Sequence, residues 1–336
     1  MILGLGIESS CDETSVGIVQ DGKIERSLRI FSQTELHSRF HGVVPEIASR
    51  AHLEKINYLL DAALSDARIS LSNLNYIAVA NRPGLLGSLM IGAQLAKVLS
   101  LCLRIPVIAV DHLESHLSAV QLEGNILEYP FLGLLLSGGN SAVFKVDEPG
   151  KMTVLADTRD DALGEALDKA AILLGLGYPG GPLIEKKAAE FQGERKGALF
   201  PKVNTGGNNR FFSYSGLKTS LLYFTRKNPD YISRIPEVCW HYQNSAFELV
   251  EKNISKLVSD TGIHRVVAAG GVLANTFLRE RLEKLSVKKR FQLIYPKKKL
   301  LCTDNGAMTA CLGYYLFQAK KISGLDFAVS PYREET

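Results

Sequence analysis

Apolar residues in this chain form short uninterrupted runs that alternate with polar, glycine-rich turns. Five such runs are bounded by turn residues and are typical of buried strands: 2–7, 76–80, 106–110, 131–136 and 266–269. Segment 45–64 instead carries apolar residues at helical spacing and predicts an amphipathic helix that begins at Pro45. On this helix, His52 is expected at the surface. Buried strands that alternate with helices predict an α/β fold.

A strand–turn–strand unit occurs twice, once at the start of the chain and once near its middle. In the first copy the polar turn 8–14 joins two apolar strands, and in the second copy the loop 137–141 does so. Gly138 and Gly139 would let backbone N–H groups approach a phosphate closely. The repeat therefore predicts two duplicated lobes that face a nucleotide. The alternative for turn 8–14 is an ordinary hairpin turn, because Ser, Asp and Thr all favour turns.

His112 and His116 follow the apolar run 106–110 and lie four residues apart at the start of a predicted helix. Residues with this spacing share one helix face, with Cβ atoms about 5–6 Å apart, so the two imidazoles could bind one metal ion. Open α/β sheets also carry functional residues where a strand leads into a helix. The alternative is that both histidines are ordinary polar residues on a solvated helix face.

The composition of the chain bears on its cellular compartment and on one class of partner. The 336-residue chain has a formal net charge of +4 and a pI near 8.7, which permits a nucleic-acid partner without requiring one. Its five cysteines include no C-x-x-C pair, which favours a reducing compartment and argues against a zinc ribbon. The N-terminus shows no targeting signal, and no apolar run approaches the roughly 18 residues of a membrane span. A cytoplasmic protein without membrane association is expected.

Eight sequence blocks, taken in order, point to a known family. The blocks are 6–14, 43–50, 111–116, 137–140, 164–169, 175–182, 212–219 and 303–308. The ordered set resembles the tRNA threonylcarbamoyladenosine synthases of the actin-like ATPase superfamily, called TsaD in bacteria, and it covers nearly the whole chain. Glu185 departs from the family pattern, in which this position is frequently Asp.

The resemblance implies a specific architecture. It is an α/β protein of two duplicated lobes of the actin-like, Hsp70-like (ribonuclease H-like) type, with a nucleotide cleft between them. The first lobe is expected to span 1–126 and to be completed by a C-terminal helix over 306–336. The second lobe is expected to span 127–305, with a helical insertion around 160–250.

The resemblance also implies a metal site and a ligand site. His112, His116 and Asp304 are the implied ligands of one divalent iron or zinc ion, which would keep coordination positions open. Without the family, Asp304 is also a candidate N-cap of the helix that follows it. The residues implied to bind threonylcarbamoyl-AMP or an adenine nucleotide are Leu135, Leu136, Ser137, Gly138, Gly139, Asp168, Gly181, Glu185 and Asn275. For Asp168 the alternative is a solvated helix residue beside Lys169.

The implied reaction is acyl transfer from threonylcarbamoyl-AMP, a mixed anhydride, to the exocyclic amine of the tRNA adenosine next to the anticodon. AMP is the leaving group. Asp12 and Glu13, in the first polar turn, are candidate acceptors of the proton of the amine. Zinc peptidase chemistry is excluded, because it needs Glu directly after the first histidine or directly before the second. The chain has Leu113 and Ser115 at those positions.

The partners implied by the resemblance are tRNA, a TsaB-like paralogue, a TsaE-like ATPase and a TsaC-type enzyme that supplies the adenylate. The basic run Lys297, Lys298 and Lys299 is a candidate RNA contact, and its alternative is a solvated surface. Two other functions stay open from the sequence. One is an actin-like ATPase or small-molecule kinase, and the other is a non-catalytic nucleotide-binding scaffold; neither would need the histidine pair.

Overall fold

The computed structural model describes residues 1–40, 42–194, 197–200 and 211–333. The strands, in chain order, are β1 (Leu3–Glu8), β2 (Glu13–Gln20), β3 (Ile24–Ser32), β4 (Tyr76–Arg82), β5 (Val107–Asp111), β6 (Phe131–Leu136), β7 (Ser141–Glu148), β8 (Lys151–Thr158), β9 (Phe211–Phe212), β10 (Arg265–Ala269) and β11 (Gln292–Ile294). The α-helices are α1 (Thr34–Ser38), α2 (Pro45–Ala67), α3 (Leu86–Leu103), α4 (His112–Ser118), α5 (Leu163–Leu173), α6 (Gly180–Ala189), α7 (Ser215–Lys227), α8 (Ile235–Thr261), α9 (Thr276–Lys289) and α10 (Gly306–Gln318). These elements form two compact units.

The first unit comprises Met1–Tyr129, Asp147–Met152 and Pro296–Thr336. Its sheet has the order β3-β2-β1-β4-β5, in which β1 is antiparallel to β2 and parallel to β4. α10 packs directly on this sheet because glycines stand at the contact. A Cβ at Gly6 or Gly17 would collide with the backbone of Gly306 or Ala307. The Gly306 N–H also donates to Ser15 Oγ at 2.9 Å, so the start of α10 is held beside the hairpin of β1 and β2.

The core of the first unit has a layer on each face of this sheet. Leu5 and Ile7 of β1 pack with Ile56 and Leu60 of α2, while the other face carries α10. The alternation follows from the period of two along a strand, which sends Leu5 and Gly6 to opposite faces. One face of β1 therefore carries large apolar side chains, and the other carries glycine, which allows α10 to pack closely.

α3 is long and apolar enough, by length and composition alone, to cross a lipid bilayer. The expectation that no apolar run approaches this length was therefore wrong for residues 86–103. In the structure Leu89, Ala93 and Ala96 of α3 are buried, and the helix packs against β4 and α2. α3 contributes to the core of the first unit.

The second unit comprises Pro130–Val146 and Thr153–Tyr295. Its sheet has the order β11-β10-β6-β7-β8-β9, in which β6 is antiparallel to β7 and parallel to β10. In both units an antiparallel hairpin opens the sheet, and its first strand also pairs in parallel with a later strand. This confirms the strand–turn–strand repeat that the sequence predicts.

Two expectations about helices differ from the structure. α2 forms as predicted, but His52 is fully buried, because its side of the helix packs against the β1–β2 turn. The helix that begins at Gly306 ends at Gln318, well short of 336. Lys320 has a φ of 57°, which ends helical geometry, and Ser323 then pairs with Val107 of β5.

Candidate metal centre and nucleotide-binding loops

His112 and His116 are presented by a short helix at the end of β5. Asp111 caps this helix, since its Oδ1 accepts the N–H groups of Leu113 at 2.8 Å and Glu114 at 3.1 Å. His112 and His116 lie one turn apart, with ring centroids separated by 4.7 Å. Their predicted proximity is confirmed. Both side chains are buried, so the alternative of a solvated helix face was wrong.

Asp304 reaches the two histidines from the segment that precedes α10. The alternative role of Asp304 as N-cap was wrong, because Asn305 is the cap and accepts the Met308 N–H at 2.9 Å. Asp304 Oδ1 lies 3.0 Å from His116 Nε2 and 3.7 Å from His112 Nε2. The candidate ligand atoms of the three residues all lie within 4.8 Å of one another. This cluster is called the metal centre below.

The three side chains fit a divalent metal ion. Two imidazole nitrogens and one carboxylate oxygen converge from two separate segments of the first unit, and imidazole–carboxylate sets with open positions suit zinc or ferrous iron. Among the described residues, Nδ1 of His116 is buried without a hydrogen-bond partner, whereas Nδ1 of His112 has two. In both histidines it is Nε2 that lies close to the carboxylate of Asp304. His112, His116 and Asp304 could hold one ion.

Glu8 and Ser10 support the metal centre, and the sequence analysis did not single them out. Glu8 Oε2 lies 3.1 Å from His112 Nδ1, and Ser10 Oγ is also 3.1 Å from that atom. A carboxylate partner on Nδ1 fixes the ring and leaves Nε2 for a metal, as is common for metal-binding histidines. The signal in the sequence was a carboxylate directly after a wholly apolar strand. In the structure, Glu8 is fully buried.

The charges of the metal centre are set by these neighbours. Burial disfavours the charged form of His112, but the carboxylates of Glu8 and Asp304 outweigh burial and raise the pKa of His112 to about 10. Burial likewise opposes ionisation of Asp304, but His112 and His116 hold the pKa of Asp304 at about 2. At neutral pH without a metal, His112 is therefore a cation between two carboxylates.

Metal binding should consequently depend on pH. A metal must displace the proton of His112, so apparent affinity should rise by about tenfold per pH unit from pH 6 to pH 9, below the pKa of His112. Chelator competition for zinc at several pH values measures this slope. Calorimetry in two buffers of different ionisation enthalpy should show about one proton released per ion. An affinity that does not change with pH would contradict the charge assignment.

Asp12 ends the β1–β2 turn and Glu13 begins β2, and the structure distinguishes the two carboxyl groups. Burial, followed by the charges of Asp304 and Asp12, raises the pKa of Glu13 to about 9. Glu13 therefore retains its proton at neutral pH and is poorly suited to accept another. Asp12 is left as the better candidate proton acceptor.

In the second unit, the loop after β6 presents an exposed glycine backbone. The Ser137 N–H donates to Asn140 O at 2.8 Å, and Gly164 of α5 donates its N–H to Ser137 O at 3.2 Å. Nothing lies within 4 Å of a Cβ built on Gly138 or Gly139, so this backbone is open to a ligand. Anions bind at such glycine turns through backbone N–H groups.

The side chains of Leu135 and Leu136 do not face this open space. Both are fully buried in the core of the second unit, between the pairing strands β7 and β10. Only their backbone could contact a nucleotide. If Leu135 and Leu136 bind substrate as expected, they do so through main-chain atoms.

The remaining predicted ligand residues gather at the starts of α6 and α9. Asp168 Oδ1 accepts the Gly180 N–H at 2.6 Å, and Glu185 Oε1 accepts the Thr276 N–H at 2.7 Å. Asn275 Oδ1 caps α9 by accepting the Leu278 N–H at 2.9 Å. Asp168 is thus not the solvated residue of the alternative interpretation.

These contacts link the predicted ligand residues to one another. The loop at Gly138 and Gly139 abuts the start of α5, and Asp168 of α5 holds the start of α6, where Gly181 lies. Glu185 of α6 in turn bonds to α9. Three helix N-termini, which favour anions, therefore lie along one connected set of residues.

Comparison with known structures confirms the type of fold. A full-length HypF in a phosphate- and nucleotide-bound form aligns over 99% of this chain and 56% of that chain, with a TM-score of 0.59 at 15% identity. The HypF of T. kodakarensis aligns over 94% of this chain and 48% of that chain, with a TM-score of 0.62 at 14% identity. The fold is that of the actin-like nucleotide-binding proteins.

Sequence comparison then gives the family. The TsaD model, described as tRNA N6-adenosine threonylcarbamoyltransferase, matches residues 26–311, and the chain belongs to this family. A relative of that name from Leptospira interrogans is 52% identical over 99% of both chains. Another from Geotalea uraniireducens is 42% identical over 98% of this chain and 96% of its own. The resemblance stated from the sequence blocks is confirmed.

Proposed function

We propose that this protein transfers the threonylcarbamoyl group from threonylcarbamoyl-AMP to N6 of the adenosine next to the anticodon in tRNAs that read ANN codons, with release of AMP. Membership of the transferase family supports the reaction class. The observation that carries the proposal is the metal centre, in which His112, His116 and Asp304 converge within 4.8 Å. An actin-like kinase or a nucleotide-binding scaffold would not need this cluster.

The metal is proposed to be iron or zinc, held by His112, His116 and Asp304. When bound there, the ion supplies a Lewis acid for a phosphate oxygen of the adenylate, which stabilises charge on AMP as it leaves. Glu8 orients the ring of His112 from the opposite side, and the buried position of both histidines limits competition from water. These residues keep the ligand atoms in place before the substrate arrives.

The adenosine part of the substrate is proposed to bind the second unit. The N–H groups at Gly138 and Gly139 would face phosphate, and Asp168, Gly181, Glu185 and Asn275 would bind ribose or base. Asp168 already accepts a backbone N–H with Oδ1, so its second oxygen is the one proposed to accept from a ribose hydroxyl. The substitution of Glu for Asp at position 185 is compatible with this role, because one carboxylate oxygen reaches Thr276.

The reaction then needs placement and one proton acceptor. The adenine N6 amine attacks the activated carbonyl, the bond from that carbonyl to the phosphate oxygen breaks, and the amine loses a proton. Asp12 is proposed as the acceptor of that proton, and Glu13, protonated at neutral pH, as a neutral neighbour. The amine of adenine is a weak nucleophile, so positioning should supply much of the rate.

The proposed partners are a TsaB-like paralogue, a TsaE-like ATPase and a TsaC-type enzyme that forms the adenylate, and the proposed location is the cytoplasm. The direct test is reconstitution with tRNA, threonine, bicarbonate, ATP and an adenylate-forming enzyme, with and without the partners. Mass spectrometry of the digested tRNA should show the threonylcarbamoylated nucleoside. ATP hydrolysis without modified tRNA would instead favour the ATPase alternative.

The basic run is proposed to contact tRNA phosphates. Lys297, Lys298 and Lys299 are all exposed, while the backbone N–H groups of the first two are held by the carboxylate of Glu123. Lys298→Glu should weaken tRNA binding and reduce the slope of log K against log salt by about one. Lys23→Glu, at another exposed position, is the matched control and should leave the slope unchanged. Equal slopes for the two variants would argue for a merely solvated run.

A further inference from the structure

The β1–β2 turn is held from the protein interior by two buried residues. His52 of α2 places Nε2 3.0 Å from the carbonyl oxygen of Cys11 and Nδ1 2.7 Å from the hydroxyl of Thr14. Gln33, between β3 and α1, donates its backbone N–H to the carbonyl oxygen of Asp12 at 3.0 Å. His52 and Gln33 are both fully buried. The turn is thus bonded to the interior at Cys11 and Asp12, and the start of β2 is bonded at Thr14.

These contacts define the protonation state of His52. A carbonyl oxygen can only accept, so Nε2 carries the proton of the ring and donates to Cys11. Nδ1 then carries a lone pair and accepts from Thr14. Burial lowers the pKa of His52, which agrees with a neutral ring. His52 therefore acts as a fixed donor and acceptor, and it does not carry protons.

The bond to Cys11 has a direct structural consequence for the candidate proton acceptor. The carbonyl of Cys11 belongs to the peptide group whose nitrogen is that of Asp12. A hydrogen bond to this carbonyl holds the peptide plane before Asp12, and the bond from the Gln33 N–H to the carbonyl of Asp12 holds the plane after it. Together the two planes fix the direction in which the side chain of Asp12 leaves the backbone. A histidine that only filled space would not need one nitrogen bonded to the turn at Cys11 and the other to the start of β2 at Thr14.

We propose that His52 is a positioning residue for threonylcarbamoyl transfer, which it supports by holding the Cys11–Asp12 peptide through Nε2. The kinetic part of this inference rests on the proposed function, whereas the bond itself does not. Among the residues that the structure describes, His52 bonds to none of His112, His116 and Asp304, so its loss should lower kcat while the metal content and the KM for the adenylate stay unchanged.

Two substitutions of His52 test the roles of its two ring nitrogens separately. The amide of Gln can place an N–H donor near the position of Nε2, so His52→Gln retains the bond to Cys11. The amide of Asn reaches only the position of Nδ1, so His52→Asn retains an acceptor for Thr14 and loses the donor to Cys11. With the metal-loaded full chain and saturating adenylate, kcat should fall at least tenfold in His52→Asn and less than threefold in His52→Gln.

A measurement of stability serves as the control for the two His52 variants. The unfolding midpoint of each variant is measured alongside its rate, because a merely structural role predicts losses that follow the midpoint in both. Losses of equal size, no loss in either variant, or a larger loss in His52→Gln would each overturn the proposal.

The geometry is tested separately by nitrogen NMR of the His52 ring in the wild-type protein. We expect a neutral ring protonated at Nε2 from pH 6 to pH 8. A ring protonated at Nδ1, or a cation, would overturn the positioning role even where transfer is observed. A wild-type protein without transfer activity but with the expected ring state would refute the proposed function and leave the bond to Cys11 established.

Discussion

His116→Ala is expected to yield a folded protein that no longer binds one metal ion per chain and that transfers threonylcarbamoyl at least a thousandfold more slowly. His116 contributes one of three ligand atoms and lies 3.0 Å from Asp304, so its removal leaves too few ligands to hold an ion. Elemental analysis of the purified variant and single-turnover transfer at saturating adenylate measure the two effects.

The matched control is His264→Ala. His264 is an exposed histidine that precedes β10 in the second unit, whereas the three residues of the metal centre belong to the first unit. It should retain the metal and the rate of the wild type. A His116→Ala protein with normal metal content would mean that the ion binds elsewhere, and normal transfer without metal would remove the metal from the reaction.

The second large effect concerns Asp12, at the end of the β1–β2 turn, and its neighbour Glu13, which begins β2. Asp12→Asn removes the proposed proton acceptor and should lower kcat by about 10²- to 10⁴-fold at saturating adenylate. Glu13→Gln should have a much smaller effect, because Glu13 is protonated at neutral pH and an amide is close in shape to a neutral carboxyl group. Rapid-quench measurements of the modified nucleoside compare the two variants directly.

The two variants also test the raised pKa of Glu13. If Glu13→Gln lost as much activity as Asp12→Asn, the neutral state assigned to Glu13 would be wrong. If Asp12→Asn kept near-normal transfer, Asp12 would have no role as a base and the proton would have to leave by another route. Metal content, measured for both, shows that any loss arises in the turn and not at the metal centre.

Local patterns in the sequence predicted most of the fold. Apolar runs of four to six residues gave β1, β5, β6 and β10 close to their observed bounds, because buried strands need uninterrupted apolar side chains. The repeated hairpin was predictable for the same reason. The end of α10 at Gln318 was not predicted, and the pairing of Ser323 with Val107 of β5 joins residues too far apart in the chain to be seen in a local pattern.

The candidate site was only partly predictable. The spacing of His112 and His116 is a local property, and the structure brings them together as expected. The partnership of Glu8 with His112 joins residues more than a hundred positions apart, and the burial of His52 depends on a turn some forty residues earlier. No periodicity along a single element carries such information. The resemblance to a family supplied Asp304, which spacing alone could not connect to the histidines.

The pKa values were outside the reach of sequence reasoning for a related reason. The pKa of His112 is raised to about 10 by two carboxylates, Glu8 at the end of β1 and Asp304 in the segment before α10. Asp12 and Glu13 are adjacent in the chain and look equivalent as candidate bases. Their different environments, and not their residue types, separate them.

The central claim is that one metal ion is bound by His112, His116 and Asp304 during transfer. The most direct measurement is a crystal structure of active protein, with anomalous difference density collected at the absorption edge of the metal found by elemental analysis. We expect a single peak per chain, bonded to Nε2 of His112, Nε2 of His116 and a carboxylate oxygen of Asp304, at about 2.0–2.2 Å for zinc. An active crystal with its metal peak at other residues, or with no peak at these three, would contradict the account.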